Sequence, residues 1–224
     1  MSAGAAAHPA PEGELPEWLR PLGAAAATIT PRMLSQFLPP PPPSARPSAV
    51  LMLVGEQSHG PDLLLIERAA GLRSHPGQVA FPGGASDPGD VSPGDTALRE
   101  AQEEVGLDPE GVQIFGTLPT LWVPPSNFAV TTVLGWWRTP SSATVVDPVE
   151  VASVLRVPFA ELLDPVRRFT VRHPSGWLGP AFDVGDGLML WGFTAGVVSR
   201  LLAHAGWEQP WDKARERPLP EALR

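Results

Sequence analysis

The sequence predicts an α/β sandwich in which helices cover a central sheet. Three observations support this prediction: apolar runs of strand length recur along the chain, one amphipathic helical segment follows the first two runs, and another lies near the end of the chain. The elements follow the order strands, helix, strands, helix, and no internal repeat is visible. We therefore expect one folded unit with terminal extensions.

The first two predicted strands cover residues 49–54 and 62–66. Both are compact apolar runs, and a polar turn that contains His59, Gly60 and Pro61 separates them. Runs of this length between turn residues are typical of buried strands. The two runs therefore predict a pair of neighbouring strands in the sheet.

The next predicted element is a helix over residues 95–105, a stretch without Gly or Pro. Its apolar residues recur at spacings of three or four, at Ala97, Leu98, Ala101 and Val105. Asp95 or Ser92 is suited to cap the first turn, and Gly106 is suited to end the helix. The pattern predicts an amphipathic helix with one buried face.

Three further strands and two helical segments complete the predicted domain. The strands are expected at residues 112–118, 128–137 and 151–157, and a helical turn is expected at 159–164. Residues 192–204 place a row of apolar side chains on one face, which predicts a helix that closes the other side of the sheet.

The two ends of the chain differ in composition from the middle. Residues 1–47 are rich in Ala and Pro and predict a loosely held arm, residues 48–205 form the predicted domain, and residues 206–224 form a tail. Two segments of the arm are suited to a short helical turn that packs an aromatic side chain on the domain: residues 16–20 and 33–38.

Composition excludes several classes of function. A net charge of -8 repels nucleic acid and anionic membranes, so neither is expected as a partner. The chain has no Cys, which excludes disulfides and thiolate sites. It shows neither a signal-peptide pattern nor a long apolar run. We expect a cytoplasmic protein, monomeric or homodimeric, whose partner is a small molecule.

The segment most informative about chemistry is residues 99–107, in which Glu100, Glu103 and Glu104 share one face of the predicted helix. Three carboxylates this close repel one another, and hard divalent cations take oxygen ligands. The alternative is an ordinary solvated acidic face. Gly83 and Gly84 precede the helix and allow the backbone to approach a metal or a phosphate closely.

These residues closely resemble the signature of the Nudix hydrolases. That signature reads G, five residues, E, seven residues, R-E-hydrophobic-x-E-E-x-G-hydrophobic, and the matching positions are Gly84, Arg99, Glu100, Ala101, Glu103, Glu104, Gly106 and Leu107. Two positions depart from it. Asp90 stands where the first glutamate is expected, and the interval from Gly84 to Arg99 is one residue longer.

A second signature resembles that of one Nudix subgroup, the coenzyme A pyrophosphatases. It reads L-L-T-x-R-[S/A], three residues, R, three residues, G, three residues, F-P-G-G, and this chain matches it at Leu64, Leu65, Arg68, Ala69, Arg73, Gly77, Phe81, Pro82, Gly83 and Gly84. Ile66 replaces the threonine. The looser resemblance extends from residue 49 to about residue 202.

The resemblance implies a Nudix-type α/β/α sandwich with a mixed central sheet, and it implies Mg²⁺ or Mn²⁺ as cofactor. Glu100, Glu103, Glu104 and the carbonyl of Gly84 are the implied metal ligands. Arg99 resembles the arginine that orients a neighbouring carboxylate. The base that takes the proton from the attacking water stays open between Glu100 and Glu150.

The subgroup resemblance also implies the substrate and the residues that hold it. Coenzyme A carries a pyrophosphate and a 3′-phosphate, which Arg68 and Arg73 are suited to bind with their forked guanidinium groups. His75 and Gln78 are expected to line the same pocket, together with Gly83 and Gly84. Alternatively, Arg68 forms a structural ion pair with Glu67 or Asp62.

Three functions remain open on the sequence alone. The first is hydrolysis of coenzyme A or its derivatives to 3′,5′-ADP and 4′-phosphopantetheine or its acyl form. The second is another Nudix activity, on ADP-ribose, dinucleoside polyphosphates or nucleoside triphosphates. The third is a non-catalytic Nudix-like sensor of a nucleotide, for which a metal-binding glutamate cluster would be unnecessary.

Overall fold

The computed structural model describes residues 15–35, 39–72 and 74–223. Twelve strands in these ranges form one mixed sheet: β1 Arg46–Gln57, β2 Gly60–Arg68, β3 Val79–Ala80, β4 Gly83–Ala85, β5 Val112–Thr117, β6 Leu121–Val123, β7 Phe128–Trp137, β8 Val151–Pro158, β9 Arg168–Arg172, β10 Leu178–Asp183, β11 Met189–Leu190 and β12 Glu216–Pro218. The helices are α1 Arg20–Thr28, α2 Pro31–Leu34, α3 Pro93–Val105, α4 Phe159–Leu163 and α5 Gly192–His204. Short 3-10 turns lie at Glu17–Leu19, Pro109–Gly111, Pro165–Arg167 and Glu221–Leu223.

The sheet runs in the order β12-β9-β10-β11-β3-β2-β1-β7-β5, with β4 paired to β1, β6 to β7 and β8 to β2. The long central strand β1 is antiparallel to β2 and β4 but parallel to β7. The predicted mixed sheet is therefore confirmed. The pairing of β4 with β1 matters for the site, because it places Gly83 and Gly84 beside the start of β1.

Helices cover the two faces of the sheet, as predicted for a sandwich. On one face, α3 packs Ala97, Ala101 and Val105 against buried residues of β1 and β2. On the other face, α5 and α1 pack against the alternate residues of the same strands. We call these the α3 face and the α5 face. Alternate strand residues point to opposite faces, which is why one strand serves both cores.

Helix α3 is delimited by the residues that the sequence indicated. Ser92 is the N-cap and its hydroxyl accepts from the Asp95 amide, while the Asp95 carboxylate accepts from the Ser92 amide. Pro93 and Gly94 add a first turn before the predicted start at residue 95, which is compatible with proline at the first helical position. Gly106 ends the helix in a left-handed conformation with φ 68°.

The described parts of the arm and tail contain more regular structure than the sequence indicated. Helices α1 and α2 lie inside the predicted arm, and Leu19, Leu22 and Leu34 belong to the core of the α5 face. The predicted turn at residues 33–38 falls partly outside the described residues. In the tail, β12 pairs with β9, and Leu219 is buried. Among the described residues, no helix combines the length and the apolar character needed to cross a membrane.

Candidate active site

The three glutamates of α3 differ strongly in exposure. Glu104 is 3% exposed, whereas the side chains of Glu100 and Glu103 are 15% and 61% exposed. The helix therefore carries one buried, one partly buried and one solvated carboxylate. This arrangement differs from an ordinary acidic surface, in which all three would be hydrated.

Glu104 is the most perturbed carboxylate of the site. Its Oε2 accepts a hydrogen bond from the Gly83 amide at 2.9 Å, while its Oε1 is buried and has no hydrogen-bond partner among the described residues. Burial raises the pKa of Glu104 to about 8, and the charges of Glu100 and Glu150 add to this effect. The Gly83 amide and the charge of Arg68 act in the opposite direction.

Arg99, in the middle of α3, joins the helix to the preceding loop. Its guanidinium binds Asp90 through two hydrogen bonds, Nε to Oδ1 at 3.2 Å and Nη2 to Oδ2 at 3.0 Å. Nη2 also donates to the Ala85 carbonyl at 2.9 Å, and Nη1 donates to Glu100 at 2.9 Å and to Glu103 at 3.2 Å. The guanidinium thus holds two of the three glutamates.

Asp90 shows what the departure from the Nudix signature does in this chain. Its Oδ2 accepts from the Asp87 amide and the Thr96 hydroxyl, both at 2.9 Å, in addition to Arg99. The hydrogen bonds from Arg99 are the largest cause of a lowered Asp90 pKa. A turn closed by the Asp90 amide and the Asp87 carbonyl at 3.0 Å lies within the longer interval. The aspartate therefore anchors the loop to the helix.

The two glycines of β4 are required by close approach. A Cβ on Gly83 would overlap the backbone of β1 at Ala49 and Val50, and a Cβ on Gly84 would overlap the carboxylate of Glu100. The Gly84 carbonyl accepts from the Ser48 hydroxyl at 2.6 Å. Ser48 carries no signal for the site in the sequence, since only the pairing of β1 with β4 brings it there.

The donor set fits a hard divalent cation. The unpaired Oε1 of Glu104 is a buried carboxylate oxygen that a cation would satisfy, and Glu100 is near enough to raise the pKa of Glu104. Across the described residues, no group of three or more His, Asp or Glu side chains is arranged to hold a metal ion. Because Arg99 holds Glu100 and Glu103, the assignment of three glutamate ligands stays a prediction.

Arg68 lies at the end of β2 and its charge acts on Glu104 and on His75. Its Nε is buried without a hydrogen-bond partner among the described residues. The alternative ion pairs are not observed, because Asp62 binds Arg156 at 2.5 Å and Glu67 accepts from the Ser153 hydroxyl at 2.8 Å. The guanidinium of Arg68 is therefore available to a ligand.

The loop after Arg68 is closed at its base by backbone hydrogen bonds. The Arg68 amide donates to the Gln78 carbonyl at 3.0 Å, and the Gly77 amide donates to the Arg68 carbonyl at 3.1 Å. Desolvation and the charge of Arg68 lower the pKa of His75, while a hydrogen bond with Gln78 opposes them. The loop thus places His75 and Gln78 beside Arg68. Arg73 lies outside the described residues.

Glu150 approaches the site from the segment before β8. The pairing of β2 with β8 is irregular between Glu67 and Arg68, and just beyond it the Ala69 amide donates to the Glu150 carbonyl at 2.8 Å. The charge of Glu150 raises the pKa of both Glu100 and Glu104. A bulge next to a site commonly redirects the chain in this way. Glu150 is exposed and remains a candidate base.

Comparison with known proteins agrees with this geometry. The NUDIX domain family matches residues 45–175. A relative from Photorhabdus laumondii, described as an uncharacterized Nudix hydrolase NudL, is 44% identical over 170 residues, which are 73% of this chain and 89% of the relative. Its counterpart from Cronobacter sakazakii is 40% identical over 171 residues, covering 74% of this chain and 85% of the relative.

Among solved structures, a Nudix hydrolase from M. smegmatis, RenU, aligns with 75% of this chain and 91% of its own, with a TM-score of 0.52 and 21% identity. That likeness shows the fold. Enzymes of this family generally use divalent metal ions, in agreement with the buried carboxylate oxygen of Glu104. With a family match over more than half of the chain, this protein belongs to the Nudix family and is a Nudix pyrophosphohydrolase.

Proposed function

We propose that this protein hydrolyses the pyrophosphate bond of coenzyme A or its derivatives, to give 3′,5′-ADP and 4′-phosphopantetheine or its acyl form. The residues of the second signature support the proposal, since the Gly83 amide binds Glu104, Gly84 lies against Glu100 and the charge of Arg68 acts on Glu104. The single observation that carries it is the guanidinium of Arg68, whose charge lowers the pKa of Glu104 and which forms no ion pair among the described residues.

An unpaired arginine beside a carboxylate is expected where an anion binds. A guanidinium holds a phosphate through two parallel hydrogen bonds, and the net charge of -8 makes such a local cation necessary for a polyanionic substrate. Arg68 is thus proposed to bind the pyrophosphate, with Arg73 as a proposed second contact for the 3′-phosphate. His75 and Gln78 are proposed to line this end of the pocket.

Glu100, Glu103, Glu104 and the Gly84 carbonyl are proposed to hold Mg²⁺ or Mn²⁺, which when bound neutralises phosphate charge and lowers the pKa of water. Arg99 orients Glu100, and the Gly83 amide fixes one oxygen of Glu104. The oxygen of water forms a bond to one phosphorus. The bond between that phosphorus and the bridging oxygen breaks, and its electron pair leaves with the second phosphate.

Glu150 is the better supported of the two candidates for the base that receives the proton from water. Glu100 is bound by Arg99, whereas no hydrogen bond to the carboxylate of Glu150 is found among the described residues. A general base needs a free oxygen within reach of the water. Glu150→Gln is expected to lower kcat about 100-fold with little change in KM, and a kcat close to that of the wild type in this variant would contradict the role of Glu150 as the base.

The substrate can be assigned with a panel assay. Purified protein is given coenzyme A, ADP-ribose and a nucleoside triphosphate, with Mg²⁺ or Mn²⁺ and with or without a chelator, and products are separated by chromatography. We expect preferential release of 3′,5′-ADP from coenzyme A and no turnover with the chelator. Faster turnover of ADP-ribose or the triphosphate would contradict the proposed substrate.

Variants of the two arginines test recognition of the 3′-phosphate. Arg73→Ala is expected to raise KM for coenzyme A more than KM for coenzyme A that lacks the 3′-phosphate, whereas Arg68→Ala is expected to affect both substrates equally. Arg138→Ala is the matched control, because Arg138 is exposed and lies outside the site. Equal losses for both substrates in Arg73→Ala would show that Arg73 does not bind the 3′-phosphate.

A further inference from the structure

A groove on the α5 face is separate from the residues of the candidate active site. It has a volume of about 350 Å³ and lies between α5, the turn after β6 and the segment that leads into β10. Its apolar lining includes Trp177, Trp191, Phe193 and Leu121. Pockets for small organic ligands have volumes of about 300–1,000 Å³ and are mostly apolar with aromatic walls. The groove has these dimensions and this lining.

One end of the groove is positively charged. Arg200 lines it, is exposed, and forms no ion pair among the described residues. A smaller cavity of about 200 Å³ shares Arg200 with the groove and adds Lys213. The acidic residue of that cavity, Glu208, is already bound by Arg168 at 2.6 Å. The uncompensated charge beside the groove is therefore positive, although the chain carries a net charge of -8.

A glycine keeps the floor of the groove open. Gly196 lies inside α5 and lines the groove, and a Cβ added to it would meet no heavy atom of the described residues within 4 Å. Glycine in a helix interior is less favourable than alanine by about 1 kcal/mol. Packing within the described residues does not require glycine here. The open space above Gly196 is the space that a ligand in the groove would use.

We propose that this groove binds an amphipathic organic anion, with a medium-chain aliphatic body against the tryptophans and a carboxylate or phosphate head group at Arg200. The apolar wall accounts for the body, and the unpaired guanidinium accounts for the charge of the head. A concave groove with one charged end suits a single small molecule better than an extended polypeptide. This proposal does not depend on coenzyme A being the substrate of the active site.

The first test compares ligands that differ only in the head group. The full chain is titrated by calorimetry with decanoate, decyl phosphate, decanol and decyltrimethylammonium, below their micelle concentrations, and tryptophan fluorescence is followed because Trp177 is 37% exposed. We expect at least one anion to bind at least 10-fold more tightly than the alcohol and the cation. The ratio of the affinities for decanoate and decyl phosphate distinguishes a carboxylate ligand from a phosphate ligand.

Two variants locate the binding. Gly196→Leu is expected to lower the affinity for decanoate and decyl phosphate at least 10-fold, while the melting temperature stays the same or rises. Arg200→Gln is expected to reduce the affinity for the anions to that for decanol. Ala160→Leu, which adds the same side chain at an exposed position of α4, and Arg138→Gln are the matched controls and should bind normally.

Several results would overturn the proposal. Equal affinity for decanol and the anions would show that Arg200 does not bind the head group. Undiminished binding by Gly196→Leu would show that the ligand binds outside the groove. Absence of binding by all four probes would also overturn it. If sedimentation showed that Gly196→Leu changes the oligomeric state without changing ligand affinity, the groove would be an interface between copies of this chain.

Discussion

Glu104 carries a carboxyl group that the folded protein buries without a full set of partners. Its folded pKa of about 8 lies above the ordinary value of 4.5, mainly because of desolvation. Ionisation of Glu104 therefore opposes folding, and this destabilisation grows as the pH rises from about 4.5 to about 8. A cation bound to the free oxygen would offset it. The residue thus lowers stability in the absence of metal and serves the proposed metal site.

The first prediction concerns turnover. Glu104→Gln is expected to lower kcat at least 100-fold, on the scale of about 3 kcal/mol seen when charge stabilisation of a transition state is lost. The circular dichroism spectrum should be unchanged, because the amide is nearly isosteric with the carboxyl group. Activity close to that of the wild type would contradict the assignment of Glu104 as a metal ligand.

The second prediction concerns stability without metal. In the presence of a chelator, Glu104→Gln is expected to raise the free energy of unfolding by about 4 kcal/mol at pH 8, because the pKa of Glu104 rises from 4.5 to about 8 on folding. At pH 4.5 the substitution should change it little, since the folded carboxyl group is then protonated. Urea denaturation at the two pH values measures this difference. Glu103→Gln is the control, because Glu103 is 61% exposed and should show no such gain. A loss of stability at pH 8 would contradict the argument.

At the scale of elements, the loop before α3 and the helix act as one unit because Asp90 and Arg99 join them. The carboxylate of Asp90 is 8% exposed and accepts from the loop backbone, from Thr96 and from Arg99. Arg99 in turn holds Glu100. A substitution at Asp90 should therefore change the position of Glu100 through Arg99, although Asp90 does not bind Glu100.

The third prediction follows from that connection. Asp90→Ala is expected to lower the melting temperature by about 4–8 °C and kcat about 10-fold, because Arg99 loses its two-point anchor. The lowered pKa of Asp90 means that its stabilisation is present above the ordinary value of 3.8 and is lost at lower pH, so the difference should be similar at pH 5 and pH 8. Asp87→Ala is the control, since Asp87 is 66% exposed and lies 4.0 Å from Arg99. Equal effects of the two substitutions would contradict the anchoring role.

The sequence predicted those elements whose signals are local. Helix α3 has its caps, its apolar spacing and its terminating glycine within the segment itself, so its bounds differ from the prediction only by the first turn. Strands β3, β4 and β11 have two or three residues each, which is too short for an apolar pattern that would predict a strand. They exist because neighbouring strands offer hydrogen bonds.

The candidate site shows the same division. The glutamates and glycines were identified from spacing, but the differences in exposure among the three glutamates were not, since these depend on how closely β4 approaches the helix. The freedom of Arg68 depends on Arg156, which binds Asp62 from the neighbouring strand β8. Contacts between residues that are distant in the sequence cannot be predicted from the local spacing of those residues.

At the scale of the whole molecule, residues 15–35 contribute side chains to the core. The high content of alanine and proline predicted a loosely held arm. Composition alone does not show which of the few leucines in this segment pack against the sheet. Leu22 is fully buried and Leu34 is 5% exposed in the core of the α5 face, together with residues of α5 and the sheet. The same face contains the groove, whose lining includes Leu34. The segment around α1 and α2 therefore completes this layer of the sandwich.

The fourth prediction tests this membership. Leu22→Ala is expected to lower the free energy of unfolding by about 3 kcal/mol, the cost of a cavity in a packed core, whereas a loose arm would give almost no change. Urea denaturation measures it, and Met33→Ala is the control because Met33 is 41% exposed on the same segment. Since α3 packs on the opposite face, kcat of the folded Leu22→Ala protein should stay within about twofold of the wild type. A small loss of stability would place α1 outside the cooperative core, and a large loss of kcat would mean that the two faces are coupled through the sheet.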